Sequence, residues 1–327
     1  MINLTSELSS VKSVAIAGHI RPDGDCVGSC MGLYLYIKEN FPQLETAVYL
    51  EEFPQSFCFI QRSDEVNHSF EEDKEYDLFI ALDSGDRGRL GRAVKYLDTA
   101  RRSICVDHHV SNVGYALENY IVPTASSTSE LVYGILPPEK VTKEIAEALY
   151  MGIAHDTGVF QYSCTSPETM RIAGELMKTG IHFSEIVDST FYQKTYVQNQ
   201  ILGRALLESL MVLDGKCIIS AVKQKEMDFY GVGPMDLEGI VSQLRNTKGV
   251  RVAIFMYESK VQEFKVSMRS NAGVDVSKIA SYFGGGGHTR AAGCTMQGSF
   301  YDVVNNLTRH IEKQIIQLPG TCQDFYL

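Results

Sequence analysis

The chain lacks any run of lysine or arginine, and 40 acidic residues against 30 basic ones leave a formal net charge of −10. A protein that grips long-duplex nucleic acid through its phosphates needs a basic track, so that class is disfavoured, whereas a short anionic substrate is not. No C-x-x-C pair occurs among the eight cysteines, at 26, 30, 58, 105, 164, 217, 294 and 322, and they form no dense disulfide framework for a chain of 327 residues. They read as reduced thiols filling apolar sites. No apolar stretch approaches the length of a membrane span, and Met1-Ile2-Asn3-Leu4-Thr5-Ser6-Glu7 lacks a basic start followed by an apolar run. A cytoplasmic location without a membrane partner is therefore expected. Low-complexity tracts and repeats between the two halves are missing as well. With 44% hydrophobic and 21% charged residues, most of the chain should fold, and its length suits two domains.

What is present reads as an α/β protein. Ser13-Val14-Ala15-Ile16-Ala17-Gly18 is a short apolar run suited to a strand buried on both faces. A helix is expected over 26–40, stopped by Pro42, with further buried strands at 46–50, 77–82 and 103–106 and a connecting helix at 90–97. Strands alternating with helices at this spacing indicate a doubly wound, mainly parallel sheet, whose ligands sit beyond the carboxyl ends of its strands. A helix over 142–154 would deliver Asp156 from its end; another starts at Pro167, with Ser166 as cap and Gly180 past its end. The expected organisation is a first domain over 1–187, a polar helical connector over 188–208, and a smaller α/β domain over 209–327. In the latter, Asp214-Gly215 makes a hairpin between apolar runs. Strands at 250–257 and 263–268, a helix at 274–283 and a closing helix at 300–316 follow.

Four clusters of acidic and imidazole side chains mark the first half: His19-Ile20-Arg21-Pro22-Asp23-Gly24-Asp25, Leu82-Asp83-Ser84-Gly85-Asp86, Asp107-His108-His109 and His155-Asp156-Thr157-Gly158. Three of them start directly after a predicted strand, where a shared site would be built. Carboxylates and imidazoles are the ligands that two hard-to-borderline divalent cations take. Such a pair cuts phosphate esters by generating a hydroxide and neutralising phosphoryl charge. Spacings of four and two let His19 and Asp23 converge on one cation while Asp25 reaches its neighbour, with Pro22 and Gly24 keeping the segment out of a regular helix. Alone, that cluster fits an ordinary polar loop equally well. Asp83 can bridge both cations, although in isolation it fits a helix cap better. Adjacent His108 and His109 point in different directions, so one can bind metal while the other faces substrate, and Asp107 can fix an imidazole tautomer. A pair of core histidines explains that triplet poorly. In the second half, Gly284-Gly285-Gly286-Gly287 allows backbone amides close to an anion, ahead of a turn that can open a helix whose amino end favours negative charge. A flexible linker is the alternative, and flanking apolar residues favour a packed turn. Arg269 can fork onto a phosphate or lie solvated.

Taken in order, His19-x-x-x-Asp23-x-Asp25, Asp83, Asp107-His108-His109, Asp156-Thr157-Gly158 and Gly284-Gly285-Gly286-Gly287-His288 with Ala291-Ala292-Gly293 resemble the DHH superfamily of phosphoesterases. Within it they are similar to the stand-alone NrnA-like group of nanoRNases (oligoribonucleases) and pAp phosphatases. The likeness runs from Ser13 to Ile316. It implies a DHH domain followed by a smaller DHH-associated domain, with the active site in the cleft between them, in a homodimer. It implies that His19, Asp23 and Asp83 hold one Mn²⁺ and that Asp25, Asp83, His108 and Asp156 hold the other, with Mg²⁺ or Co²⁺ as substitutes. By the same likeness Asp107, His108 and His109 form the catalytic triplet, His109 touching the scissile phosphate and Asp107 supporting the site. Arg269, His288 and the amides of Gly285, Gly286 and Gly287 would receive the substrate's terminal phosphate. Ser126, Ser127 and Thr128 match a small polar segment of the family.

The implied activity is Mn²⁺-dependent hydrolysis of very short RNA oligonucleotides and linear dinucleotides to nucleoside 5′-monophosphates, with 3′-phosphoadenosine 5′-phosphate (pAp) as a further substrate. Two rivals stand beside it, a cyclic-dinucleotide phosphodiesterase of the c-di-AMP type and a non-catalytic nucleotide-binding module. The complete ligand set speaks against the second.

Overall fold

Five short strands build the first sheet: β1 (Ser13–Ala17), β2 (Glu45–Tyr49), β3 (Leu78–Leu82), β4 (Arg102–Asp107) and β5 (Glu118–Ile121). They are parallel throughout, in the order β2-β1-β3-β4-β5. Successive side chains on a strand point to opposite faces. Accordingly Val14, Ile16, Leu78, Ile80 and Leu82 enter one core, while Ala15, Ala17, Phe79 and Ala81 enter another. This is a computed structural model, which describes residues 3–271 and 273–317.

Among the described residues, seven α-helices accompany this sheet: α1 (Leu4–Ser9), α2 (Gly24–Asn40), α3 (Val94–Thr99), α4 (Thr128–Ile135), α5 (Lys143–Asp156), α6 (Pro167–Lys178) and α7 (Phe183–Val187). α2, α4, α5 and α6 close the first core, and α3 with the tyrosines Tyr49, Tyr76 and Tyr96 closes the second. Helices on both faces make the sheet doubly wound, as the strand spacing requires. The helix expected over 90–97 is divided into a 3₁₀ segment, Arg87–Ala93, and α3, because Gly91 sits at φ +53° and breaks the run. β5, α1 and α4 lack a strong apolar period, so their sequences do not announce them.

α2 and α5 pack at backbone distance. A Cβ on Gly28 would lie 2.5 Å from the carbonyl oxygen of Ala148, so the helices meet where one of them has no side chain. That close approach brings the first turn of α2 and the last turn of α5 together, which matters below.

The chain divides between Gln193 and Lys194 into two units. The expected connector over 188–208 is not a separate element. Asp188–Tyr192 forms a π-helical turn directly after α7, whereas α8 (Tyr196–Leu207) buries Ile201 and Ala205 in the second unit's core. That unit has a mixed sheet, β10-β11-β9-β8-β7-β6, made of β6 (Leu210–Val212), β7 (Cys217–Val222), β8 (Val252–Lys260), β9 (Glu263–Ser270), β10 (Gly286–His288) and β11 (Ala291–Gln297). β7 and β8 run parallel, joined through α9 (Gln224–Tyr230) and α10 (Ile240–Arg245), and the other pairs are antiparallel. Val252, Ile254 and Met256 face α11 (Val276–Tyr282) and α12 (Phe300–Gln317), while Ala253 and Phe255 face α8, α9 and α10. The helix expected after the glycine run is absent: 286–297 form a β-hairpin instead.

Cys26, Cys30, Cys105, Cys217 and Cys294 are buried free thiols, as expected, but Cys58 and Cys164 are exposed, and Cys322 lies outside the described residues. Among the described residues, no helix is long and apolar enough to cross a membrane.

The packing yields a paired prediction. Gly28→Val should destabilise the protein by about 1–3 kcal/mol through overpacking against α5. Gly174→Ala, in mid-α6 with nothing within 4 Å of the added Cβ, should stabilise it by about 0.5–1 kcal/mol. Urea unfolding midpoints check both, and equal shifts of the same sign contradict the assignment.

Candidate metal centre

The three central strands β1, β3 and β4 end at the same edge of the sheet, and each is followed at once by polar residues. Gly18 and His19 leave β1, Asp83 follows Leu82, and Asp107 is the last residue of β4 with His108 and His109 behind it. Parallel register therefore aligns three of the four sequence clusters without any long-range coincidence. The fourth arrives because α5 ends at Asp156, against the start of α2.

The first cluster is less of a loop than its Pro and Gly suggest. Asp23 is the N-cap of α2, accepting from the amides of Asp25 and Cys26, and Asp25 lies in the helix's first turn. Asp23 thus combines the capping role with a place at the site, while Asp83 caps nothing. The cap of the following 3₁₀ segment is Asp86, which accepts from Arg89 N. Asp83 adopts φ +53°, a left-handed conformation that carboxamide and carboxylate residues tolerate at a cost of about 1–3 kcal/mol.

The side chains converge on Asp83. His19 Nδ1 donates to the carbonyl of Ile20 (2.9 Å), which leaves Nε2 facing the carboxylates, 3.5 Å from Asp83 Oδ2 and 3.6 Å from Asp23 Oδ1. On the other side His108 Nε2 lies 3.6 Å from Asp83 Oδ1 and 3.1 Å from Asp156 Oδ2. The two oxygens of Asp83 thus face two different donor sets. One set consists of Asp83, His108 and His109, another of Asp25, His108 and Asp156, and a third of His19, Cys26 and Asp83; within each, ligand atoms lie within 4.8 Å of one another. Five of the six ligands expected from sequence, His19, Asp25, Asp83, His108 and Asp156, fall in these sets, and Asp23 belongs to none of them but lies 3.6 Å from His19 Nε2. The floor of the cluster is closed, with Asp25, Asp83 and His19 almost fully buried, whereas 60% of the Asp23 side chain and 29% of the Asp156 side chain reach solvent.

Supporting groups come from Asp107 and the segment 126–128, both named from sequence, and from Ser129 and Asn112, which sequence did not single out. Asp25 accepts from the amides of Thr128 (2.6 Å) and Ser129 (2.8 Å) at the start of α4, and the Thr128 hydroxyl donates to Asp83 Oδ1 (3.0 Å). The segment 126–128 thereby acquires a definite role, with Ser127 capping α4 and Ser126 donating to the buried Glu130. Asp107 accepts from His109 Nδ1 (2.8 Å) with one oxygen and from Asn112 Nδ2 (2.6 Å) with the other. His109 is thus oriented through Asp107. Asn112 could not be read as functional, since an asparagine after a strand is also an ordinary turn residue. His155, beside Asp156, packs between Phe57 and Phe191 and contacts Thr190 Oγ1 (3.0 Å), and burial lowers its pKa to about 4. It is a neutral packing element.

The charges decide what the cluster can hold. The ion pairs of these carboxylates run to His19, His108 and His109. Burial, then the neighbouring Asp83, pushes the Asp25 carboxyl well above its usual range, and burial with Asp25 and Asp83 does the same to Asp156. Burial opposes protonation of His19, yet Cys26, Asp23 and Asp83 drive its pKa up to about 12. His109 is raised by Asp107 and Asp83 against the effect of its burial. Protons here stand in for positive charge that four crowded carboxylates demand. Hard oxygen donors plus imidazole Nε2 atoms fit divalent cations of the Mn²⁺, Mg²⁺ and Co²⁺ kind.

The other predicted site residues lie in the second unit. Arg269 is in β9, opposite Ala291 of β11, which in turn pairs with His288 of β10. Arg269 and the backbone of His288 therefore share one row of the sheet, two strands apart; the His288 side chain lies outside the described residues. Gly285 and Gly287 are close-approach positions, where a Cβ would come within 2.1 Å of Gly293 O and 2.4 Å of Ala291 O respectively, while Gly286 has open space.

Both parts of the chain match known family models. Residues 13–153 match the model of the DHH family, N-terminal domain, and residues 214–317 match that of the DHHA1 domain. Over 288 residues the chain is 29% identical to the bifunctional oligoribonuclease and PAP phosphatase NrnA of Thermus thermophilus, covering 87% of this chain and 84% of that protein. The Bacillus subtilis protein of the same name is 26% identical over 299 residues, covering 90% and 92%. A crystal structure of an exopolyphosphatase-related protein from Bacteroides fragilis superposes with a TM-score of 0.88 at 24% identity, covering 95% of this chain and 94% of that one, which shows a shared fold. With its acidic and imidazole clusters gathered at one sheet edge and both domain models matched in order, the chain belongs to the DHH family of phosphoesterases, a DHH domain followed by a DHHA1 domain.

Proposed function

We propose that the protein is a Mn²⁺-dependent phosphodiesterase that hydrolyses very short oligoribonucleotides and linear dinucleotides to nucleoside 5′-monophosphates and takes pAp as a further substrate. The observation that carries this reading is the position of Asp83, whose two oxygens face His19 on one side and His108 on the other. A carboxylate placed in that way suits two cations better than one. The relatives from Thermus and Bacillus, named for both activities, support the substrate class.

His19, Asp23 and Asp83 would hold one cation, and Asp25, Asp83, His108 and Asp156 the other. When bound, such a pair neutralises phosphoryl oxygens and makes water a nucleophile at neutral pH. The chain's own groups position the rest. Two backbone amides clamp Asp25, and the Thr128 hydroxyl steadies Asp83. His109, kept protonated at Nδ1 by Asp107, would offer positive charge to the scissile phosphate. In the second unit, Arg269, His288 and the amides of Gly285, Gly286 and Gly287 would take a terminal phosphate, which favours substrates of a few nucleotides. The net charge of −10 agrees with that limit.

A panel of labelled RNA dinucleotide, longer RNA, pAp and cyclic di-AMP, assayed with Mn²⁺ or chelator, tests the reading. Dinucleotide and pAp should turn over only with the metal. His108→Ala should lower the rate by more than about a hundredfold, since even residues outside the ligand set commonly cost about 10–100-fold. Arg269→Ala should raise KM for the dinucleotide by about tenfold with kcat little changed. Preferential turnover of cyclic di-AMP, or undiminished activity in chelator, overturns the proposal.

Charge crowding also leaves a pH signature. Unfolded carboxyls ionise near ~4 and unfolded histidine near ~6.5, whereas native Asp25, Asp156 and His19 retain protons to higher pH. Above neutrality the metal-free native state therefore binds more protons than the unfolded state, and stability falls as pH rises. The thermal midpoint of chelated protein should drop between about pH 7 and pH 9, and Mn²⁺ should restore most of the loss. A metal-free midpoint that rises over this interval contradicts the crowding.

A further inference from the structure

One donor of the cluster differs from the rest. Cys26 is fully buried in the first turn of α2, and its sulfur lies within 4.8 Å of ligand atoms of both His19 and Asp83. The sulfur occupies the space above the end of β1, since a Cβ on Gly18 would fall 2.2 Å from it. Its contact with the carbonyl of His19, 3.9 Å, is long for a hydrogen bond. The thiol therefore does not stand alone as a core filler: it comes with an imidazole nitrogen and a carboxylate close enough to share one cation. The other two donor sets, Asp83/His108/His109 and Asp25/His108/Asp156, contain only oxygen and nitrogen. Cys30, one turn further along α2, is equally buried but belongs to none of the three sets.

Resting on the reading of this cluster as a cation centre, we propose that Cys26 is a sulfur donor to the cation position formed with His19 and Asp83, which makes the two positions chemically unequal. The position with sulfur still accepts Mn²⁺ but prefers a borderline or thiophilic cation such as Co²⁺, Zn²⁺ or Cd²⁺, and the position built of Asp25, His108 and Asp156 keeps a preference for a hard cation such as Mn²⁺ or Mg²⁺. Softness of the donor sets selectivity in this way because thiolate–metal bonds gain most with polarisable cations. On coordination the sulfur forms its bond to the cation and the thiol proton leaves to solvent, so charge and atoms balance without any redox partner. The thiol gives up its long contact to His19 O and its interaction with the Cys30 thiol on coordination.

Cobalt spectroscopy tests the assignment without reference to turnover. The exposed Cys58 and Cys164, together with Cys322, are first replaced by serine to remove adventitious thiols, and the full-length protein is freed of metal with chelator. Stoichiometric Co²⁺ should then produce a near-ultraviolet sulfur-to-cobalt charge-transfer band. Cys26→Ser should abolish that band while keeping the visible ligand-field bands, and Cys30→Ser should leave both. Calorimetry should show the ratio of Cd²⁺ to Mn²⁺ affinity falling by about tenfold or more in Cys26→Ser. Cobalt bound with ligand-field bands but no charge-transfer band overturns the sulfur assignment and leaves the cation centre standing, as does a band that survives Cys26→Ser. Failure to bind cobalt at all overturns both. If Cys26→Ser does not fold, Cys26→Ala takes its place, and the spectrum of the parent protein decides by itself whether sulfur is bound.

Discussion

Mutual repulsion among Asp23, Asp25, Asp83 and Asp156 at the carboxyl edge of a parallel sheet is the constraint from which the rest of the first unit follows. Four carboxylates this close are tolerated only where something positive sits among them. Burial and the neighbouring charges raise the pKa of Asp25 and Asp156, and the neighbouring groups raise that of His19 against its burial, so that all three hold protons more readily, and the amides of Thr128 and Ser129 add their dipoles. The arrangement costs stability in the metal-free state, and function is the reason such a cost persists. A divalent cation supplies the same positive charge in compact form.

Geometry then grades the cluster from floor to mouth. Asp83 and Asp25 are closed off, while Asp23, Asp156, His108 and His109 lie toward solvent. The strained backbone of Asp83 belongs to this plan, because an extended residue continuing β3 would aim its side chain along the sheet face instead of into the gap between His19 and His108. Glycines serve the same end at a distance. Gly28 lets α2 and α5 touch, and Gly152 leaves room for Ser129 Oγ, which a Cβ would approach to 2.0 Å. Each fixes the ends of helices that carry a site carboxylate or the amides that hold one.

Much of this was legible in the sequence, and for stated reasons. β1, β3 and β4 are apolar on both faces, so their positions follow from runs of Val, Ile, Leu and Ala. Ligands at strand ends follow from parallel topology. The start of α2 was misplaced because Pro22 and Gly24 argued for a loop, whereas Asp23 caps the helix immediately after the proline. α4 escaped because its first turn, Thr128-Ser129-Glu130, is polar yet buried, and hydrogen bonds to Asp25, Asp83 and Thr169 replace the apolar signal. The glycine run and the turn after it suggest the opening of a helix, but its close-approach glycines instead seat β10 against β11, a contact between distant backbones that local pattern does not encode. Cys26 could not be told from a core thiol until His19 and Asp83 were seen beside it.

The most direct test is the count of Mn²⁺ ions taken up by chelated protein in calorimetry, compared with Asp83→Asn. A carboxylate shared between two donor sets predicts two ions per chain in the parent protein and loss of tight binding at both positions in the variant, with the fold retained. A single ion per chain, or two ions bound as tightly after Asp83→Asn, would contradict the account.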